Sequence, residues 1–138
     1  MNRMQIGLVQ QSWRQLEDIR PEVGGLFYDR LFTLAPELRT LFRGDMREQG
    51  DKLVSMIDAA IRGLSQPEAL LPRLAQLGSR HRGYGVRASD YRTVAQALLL
   101  TLEAGLGADF TAEVRQAWIA VYAVIAETMQ RGSVAAAA

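Results

Sequence analysis

The spacing of apolar residues constrains this chain more than any other feature. They recur at every third or fourth position from end to end, the period of one helix face, and no sustained strict alternation marks a strand. Leu8, Val9, Trp13 and Leu16 predict a first amphipathic helix. Pro21 stands where a second begins, a place that tolerates its missing N–H. Val23, Phe27 and Leu31 follow at four-residue steps, widened by Leu26 and Phe32. Pro36 opens a short third element carrying Leu38, Leu41 and Phe42. Past a loop at Gly44 and Asp45, the residues Leu53, Met56, Ile57, Ala60, Ile61 and Leu64 predict a long helix, stopped at Ser65-Gln66-Pro67. The next runs from Glu68 to His81 with Leu70, Leu74 and Leu77 on its inner face, and Gly83 and Gly85 break it. Ser89 is the expected cap of a helix through Val94, Leu98, Leu99 and Leu102 to Leu106, ended by Gly105 and Gly107. Thr111 is the expected cap of the last, whose stripe is Val114, Trp118, Val121, Ile125 and Met129. The prediction is an all-α fold of seven or so helices without a sheet.

A chain of 138 residues has room for one domain. It is expected over residues 1–133, with residues 134–138 a disordered tail. Composition removes several function classes. Without cysteine there is no disulfide framework, thiolate metal site or thiol nucleophile. With His81 as the only histidine, a zinc site of three or four soft ligands cannot form. The net charge of +1 gives no overall field to draw in nucleic acid or a membrane surface. No apolar run approaches the ~18 residues of a bilayer span, and the N-terminus lacks a signal peptide's apolar stretch. A cytoplasmic location is the expectation.

Few residues are left to carry chemistry. His81 extends the Leu70–Leu74–Leu77 stripe, so it reads either as an inward metal or haem ligand or as a helix-terminal histidine favoured by the dipole. Tyr28 lies beside the Phe27 stripe, where its hydroxyl could serve a site or simply reach water or a backbone carbonyl. Gln49, Lys52 and Leu53 share adjoining parts of one face at the start of the long helix. A solvated first turn would account for Gln49 and Lys52 equally well. Gly83 and Gly85 follow no strand and so form no phosphate cradle. The four arginines between Arg80 and Arg92 are interrupted by Asp90 and apolar residues and read as a solvated face.

Set together, these segments resemble a known family. Phe27-Tyr28-Asp29-Arg30-Leu31-Phe32, followed by Pro36-Glu37-Leu38-Arg39-Thr40-Leu41-Phe42, is similar to the second and third helices of bacterial globins, above all flavohaemoglobins and single-domain bacterial haemoglobins. Leu77-Gly78-Ser79-Arg80-His81 with Gly85-Val86 resembles the proximal-histidine segment of bacterial globins and neuroglobin. Ala117-Trp118 with Val121-Tyr122 resembles their last helix. The order and spacing agree over residues 5–131.

The resemblance implies a three-over-three globin fold around one haem b, with His81 as the proximal iron ligand. It implies that Phe42 wedges the porphyrin and that Leu77, Val86 and Val94 line the cofactor pocket. Tyr91 would flank the proximal histidine, and Lys52 would reach a haem propionate. Tyr28, Gln49 and Leu53 would form the distal side, Tyr28 and Gln49 as hydrogen-bond donors to bound dioxygen and Leu53 as an apolar lid. The implied ligands are dioxygen, nitric oxide and carbon monoxide. The implied function is gas binding with nitric oxide dioxygenase activity, Tyr28 and Gln49 serving as its catalytic residues and an external reductase supplying electrons. The alternative is a non-enzymatic oxygen carrier or a haem-based gas sensor. A monomer or weak homodimer is expected. Two departures stand out: Ser133 replaces the glutamate of the flavohaemoglobin last helix, and neuroglobin's second iron-binding histidine has no counterpart.

Overall fold

The computed structural model describes the backbone of residues 1–137 and the side chains of residues 1–132. Among the described residues there are six α-helices, three short 3-10 helices and no strand. Helix α1 (Arg3–Gln15) starts from a reciprocal cap, with Asn2 Oδ1 accepting the Gln5 N–H at 2.8 Å and Gln5 Oε1 accepting the Asn2 N–H at 3.0 Å. A 3-10 turn at Glu17–Ile19 leads into α2 (Arg20–Leu34), with Pro21 in its first turn. A second 3-10 segment spans Pro36–Leu41, and Phe42 follows its end in extended backbone rather than lying within it. Helix α3 (Met46–Gly63) is capped by Asp45, whose carboxylate accepts the Arg47 N–H at 2.8 Å. Helix α4 (Pro67–Gly83) carries His81 in its last turn. Helix α5 (Ala88–Leu106) connects through a third 3-10 turn, Gly107–Asp109, to α6 (Ala112–Ala137), where Thr111 Oγ1 accepts the Val114 N–H at 3.2 Å.

The core forms where these helices cross. Val9 and Trp13 of α1, Val23, Phe27 and Leu31 of α2, Leu102 of α5, and Ala117, Trp118 and Val121 of α6 are all buried. A buried hydrogen bond ties the two ends of the chain: Trp118 Nε1 donates to Ser12 Oγ at 2.9 Å, with the Trp13 and Trp118 rings edge to face at 6.3 Å. Trp13 Nε1 donates to Asp58 at 3.0 Å and so fastens α1 to α3.

Two crossings are closer than any side chain permits. At Gly24 a Cβ would lie 2.6 Å from both Cα and the carbonyl oxygen of Gly50, so α2 and α3 touch backbone to backbone. On the opposite side α4 lies along α6. A Cβ on Gly78 would fall inside the van der Waals shell of the Met129 carbonyl oxygen, and one on Gly132 inside that of Ala75. These contacts fix the heights of α3 and α4, the two helices that carry Gln49 and His81.

Several expectations change at the level of single residues. Among the described residues the α-helices number six rather than seven, because the third predicted element, Pro36–Leu41, is a 3-10 helix. Ser89 lies inside α5 and does not cap it. The first residue outside the helix is Arg87, and Asp90 Oδ2 accepts the Arg87 N–H at 2.8 Å while Oδ1 pairs with its guanidinium at 3.4 Å. Gly105 continues α5 against Leu16 and Ile19, whereas Gly107 terminates it with φ +56°. Met56 is 39% exposed and does not join the core stripe of α3. The tail expected at 134–138 and the Ser133 side chain lie outside the described side chains; the backbone of α6 continues to Ala137.

Candidate functional site

His81 sits in the last turn of α4, beyond buried Leu70 and Leu74 and one turn after half-buried Leu77. Its Nδ1 lies 2.9 Å from the Leu77 carbonyl oxygen. A carbonyl only accepts, so Nδ1 carries the proton, and in the neutral ring the lone pair is on Nε2. That nitrogen has no hydrogen-bond partner among the described residues. Burial pushes the His81 pKa below its ordinary value; the Leu77 bond opposes the shift and the Arg80 charge reinforces it. The ring is therefore neutral at pH 7, and the dipole stabilisation that a helix C-terminus offers a cationic imidazole is not in play. What remains is an oriented, unprotonated nitrogen donor.

The second cluster hangs on the Gly24–Gly50 contact. Gln49 precedes Gly50, and Tyr28 lies one turn beyond Gly24, so the close crossing brings the two side chains together. Gln49 Nε2 donates to Tyr28 Oη at 3.3 Å, a long bond. Because Tyr28 accepts here, its own hydroxyl proton is free to donate elsewhere. The ring is 7% exposed and enclosed by aromatics: Phe27 edge-on at 5.1 Å, Phe32 stacked at 5.7 Å and Phe42 edge-on at 5.1 Å. Burial raises the Tyr28 pKa above its usual value despite the Gln49 bond, so the group stays a phenol.

The apolar side chains expected to line a cofactor pocket are only half-buried. Phe42, Leu53, Leu77 and Val94 pack on the core with part of their surface outward, and Val86 is half-buried in the corner after α4. Lys52 is exposed and forms no ion pair among the described residues. Tyr91, in the first turn of α5, is half-buried; its carbonyl oxygen accepts the Tyr122 hydroxyl at 2.6 Å, and burial raises its phenol pKa. The structure thus brings Tyr28, Gln49 and Phe42 into contact. No hydrogen bond or ring contact among the described residues links them to His81. No cluster of three or more His, Cys, Asp or Glu side chains able to hold a metal forms among the described residues. A cavity of about 650 Å³ opens beside Tyr28 between α2 and α3, and another of about 880 Å³ lies between α5 and α6; neither is lined by His81.

Sequence reasoning missed three contributors. The Gly24–Gly50 pair was signalled by glycines inside two helices. Phe32 stacks on Tyr28 from one turn away, a spacing visible in the sequence. Asp90, 6% exposed, pins the corner between His81 and Tyr91, and nothing in its spacing announced that.

Comparison with known proteins places these features in context. The sequence pattern of the globin family, described simply as Globin, matches residues 25–129. Neuroglobin from Danio rerio is 33% identical over 140 residues, covering 91% of this chain and 88% of that protein. Neuroglobin from Tetraodon nigroviridis is 32% identical over 139 residues, covering 91% and 87%. A solved hexacoordinated haem protein from an anhydrobiotic tardigrade, studied at pH 4, superposes with a TM-score of 0.87 over 97% of this chain and 96% of its own, at 16% identity. The relatives named here are neuroglobins, whereas the sequence motifs pointed towards bacterial globins. No helix among the described residues is long and apolar enough to cross a membrane.

Proposed function

The chain belongs to the globin family, and on that premise we propose that it binds haem b through His81 and takes up dioxygen and other small gases, with nitric oxide detoxification as its use. The observation that carries this reading is the His81 ring: neutral, oriented by the Leu77 carbonyl, with Nε2 free. A site with one imidazole and no cluster of further ligands suits a metal that arrives in its own macrocycle. Half-buried apolar residues such as Phe42, Leu77 and Val94 suit the flat, apolar body of that macrocycle. When bound, haem supplies an iron centre with an open position for a diatomic gas.

This chain's own residues do the rest. The Leu77 carbonyl holds the imidazole plane and raises its basicity as a ligand. Phe42, Leu77, Val86 and Val94 exclude water from the cofactor faces, and Tyr91 flanks the proximal side. Lys52 is the one lysine available to meet a propionate. Leu53 narrows ligand access. Tyr28 offers a hydroxyl proton that its bond with Gln49 leaves unused, and Gln49 supports that hydroxyl from α3. A phenol donor held in this way favours retention of a ligand carrying negative charge over release, which supports reaction with nitric oxide using electrons from an external reductase. The same site could serve a carrier or sensor, and measured nitric oxide consumption separates these from an enzyme. Because this chain has no second histidine, ligand-free iron is expected to be five-coordinate, unlike the tardigrade protein named above. A cytoplasmic monomer or weak homodimer completes the reading.

Tyr28→Phe tests it. Removing one hydroxyl deletes one hydrogen bond to a partly charged acceptor, worth roughly 1.5–3 kcal/mol, so dioxygen dissociation should quicken by about one to two decades. Carbon monoxide carries little negative charge when bound, and its dissociation should change far less. Stopped-flow measurement of both gases decides the matter, and equal small effects would reduce Tyr28 to a packing residue.

A further inference from the structure

The groove between α5 and α6, about 880 Å³, shares only Tyr91 with the residues assigned above. The two helices are joined by the short Gly107–Asp109 turn and run antiparallel, so the start of α5 lies beside the far part of α6. This gives the groove a direction. At one end Ser89 and Arg92 face Gln130 and Arg131; at the other Leu98 and Leu99 face Trp118 and Ile119. The floor between them is low because its residues are small, namely Ala95, Ala123 and Ala126.

The chemistry along the groove narrows what can lie there. In the middle, the Tyr122 hydroxyl already donates to the Tyr91 carbonyl at 2.6 Å, so its proton is not offered to a ligand and that stretch is mainly apolar surface. At the apolar end Ile119 is 36% exposed, and half-buried Leu99 adds more uncovered hydrocarbon. At the polar end Glu127 is paired with Arg131, while Arg92 makes no ion pair among the described residues. The local charge is therefore net positive. From Ser89 to Leu99 the helix rises about 15 Å at 1.5 Å per residue. A channel apolar along most of its length, closed by an uncompensated guanidinium at one end, matches a single-chain amphiphile with an anionic head.

We infer that this groove binds a free fatty-acid carboxylate, its chain lying over Ala95 and Ala123 towards Leu99 and Ile119 and its head at Arg92 and Ser89. The site stands apart from gas binding and does not depend on it. Calorimetric titration of the haem-loaded protein with monomeric dodecanoate should show one saturable site. The same-length cation dodecyltrimethylammonium should bind at least about tenfold more weakly, and Arg92→Gln should weaken dodecanoate by about tenfold, the loss of one charge-assisted hydrogen bond. Ala123→Phe fills the groove from an exposed position and should abolish the site while leaving the haem absorption spectrum unchanged. No saturable uptake, equal affinity for the cation, or full binding by Ala123→Phe would each overturn the inference, the last by locating the amphiphile elsewhere.

Discussion

Adding one methyl group at Gly24 would set a Cβ 2.6 Å from the Cα and carbonyl oxygen of Gly50. Carbon atoms rest comfortably at about 3.5–4.0 Å, so α2 and α3 would have to part by roughly 1 Å. The atoms in the way are backbone and cannot rotate aside. Overpacking of this kind costs about 1–3 kcal/mol. Replacing a helix-interior glycine by alanine returns about 0.5–1 kcal/mol, leaving Gly24→Ala destabilised by up to roughly 2.5 kcal/mol. Its neighbours give the controls. Around Gly25 nothing lies within 4 Å of the added carbon, so Gly25→Ala should gain the propensity term alone. At Gly50 the added carbon would meet Gly24 at 3.3 Å, which a shift of a few tenths of an ångström relieves, so Gly50→Ala should be near neutral. The separation also reaches the site. The Gln49–Tyr28 bond is already 3.3 Å, and a further ångström breaks it, so Gly24→Ala should quicken dioxygen dissociation, by less than Tyr28→Phe does, without removing either side chain. Urea unfolding of the three alanine variants beside wild type supplies the stability order, and stopped-flow kinetics the rest. If Gly24→Ala proved as stable as Gly25→Ala, the rigid crossing would be wrong, and with it the account of how Tyr28 meets Gln49.

Other substitutions probe the remaining supports. Gly78→Ala drives a carbon into the Met129 carbonyl, so its cost should reach or exceed the upper end of the roughly 1–3 kcal/mol for overpacking, read as a lower melting temperature with faster haem loss. His81→Ala should lose stoichiometric haem and regain it with added imidazole; an unchanged Soret band without imidazole would refute the ligand assignment. Tyr122 has its pKa raised well above 10.0, by burial first and by Tyr91 second, so its phenol stabilises the fold below pH 10 and loses that contribution as pH climbs past it. Tyr122→Phe should cost about 1 kcal/mol at neutral pH for one hydrogen bond and flatten the alkaline loss, as followed by urea unfolding across a pH series.

The helical frame was legible because each apolar stripe is local. A period can be read without knowing what the stripe meets, and Leu53, Ile57, Ile61 and Leu64 predicted the buried edge of α3 for that reason. Met56 went wrong at the margin. At roughly 100° per residue it falls on the far side of the stripe from Ile61, where the neighbouring helix no longer covers it. The α5 start was misplaced because Ser89 and Asp90 both offer cap chemistry, and only the fold shows the carboxylate reaching back to Arg87. The His81 tautomer was not legible either, because every helical residue has a carbonyl one turn before it and only the fold shows Nδ1 reaching that of Leu77. The Tyr28–Gln49 pair could not be derived from periodicity. Twenty-one residues separate them, and whether they meet depends on how closely two helices approach.

That approach is set by atoms with no side chain. Backbone meets backbone at Gly24 and Gly50, one turn from Tyr28 and next to Gln49, and again at Gly78 and Met129, three residues before His81. Contacts of this kind fix the spacing of the helices whatever stands at the neighbouring positions. The side chains between them can then change without moving the frame. Gln49 and Tyr28 can be replaced while α3 and α4 keep their places. The side chains of the candidate site thus stand on a frame held by three glycines and a carbonyl.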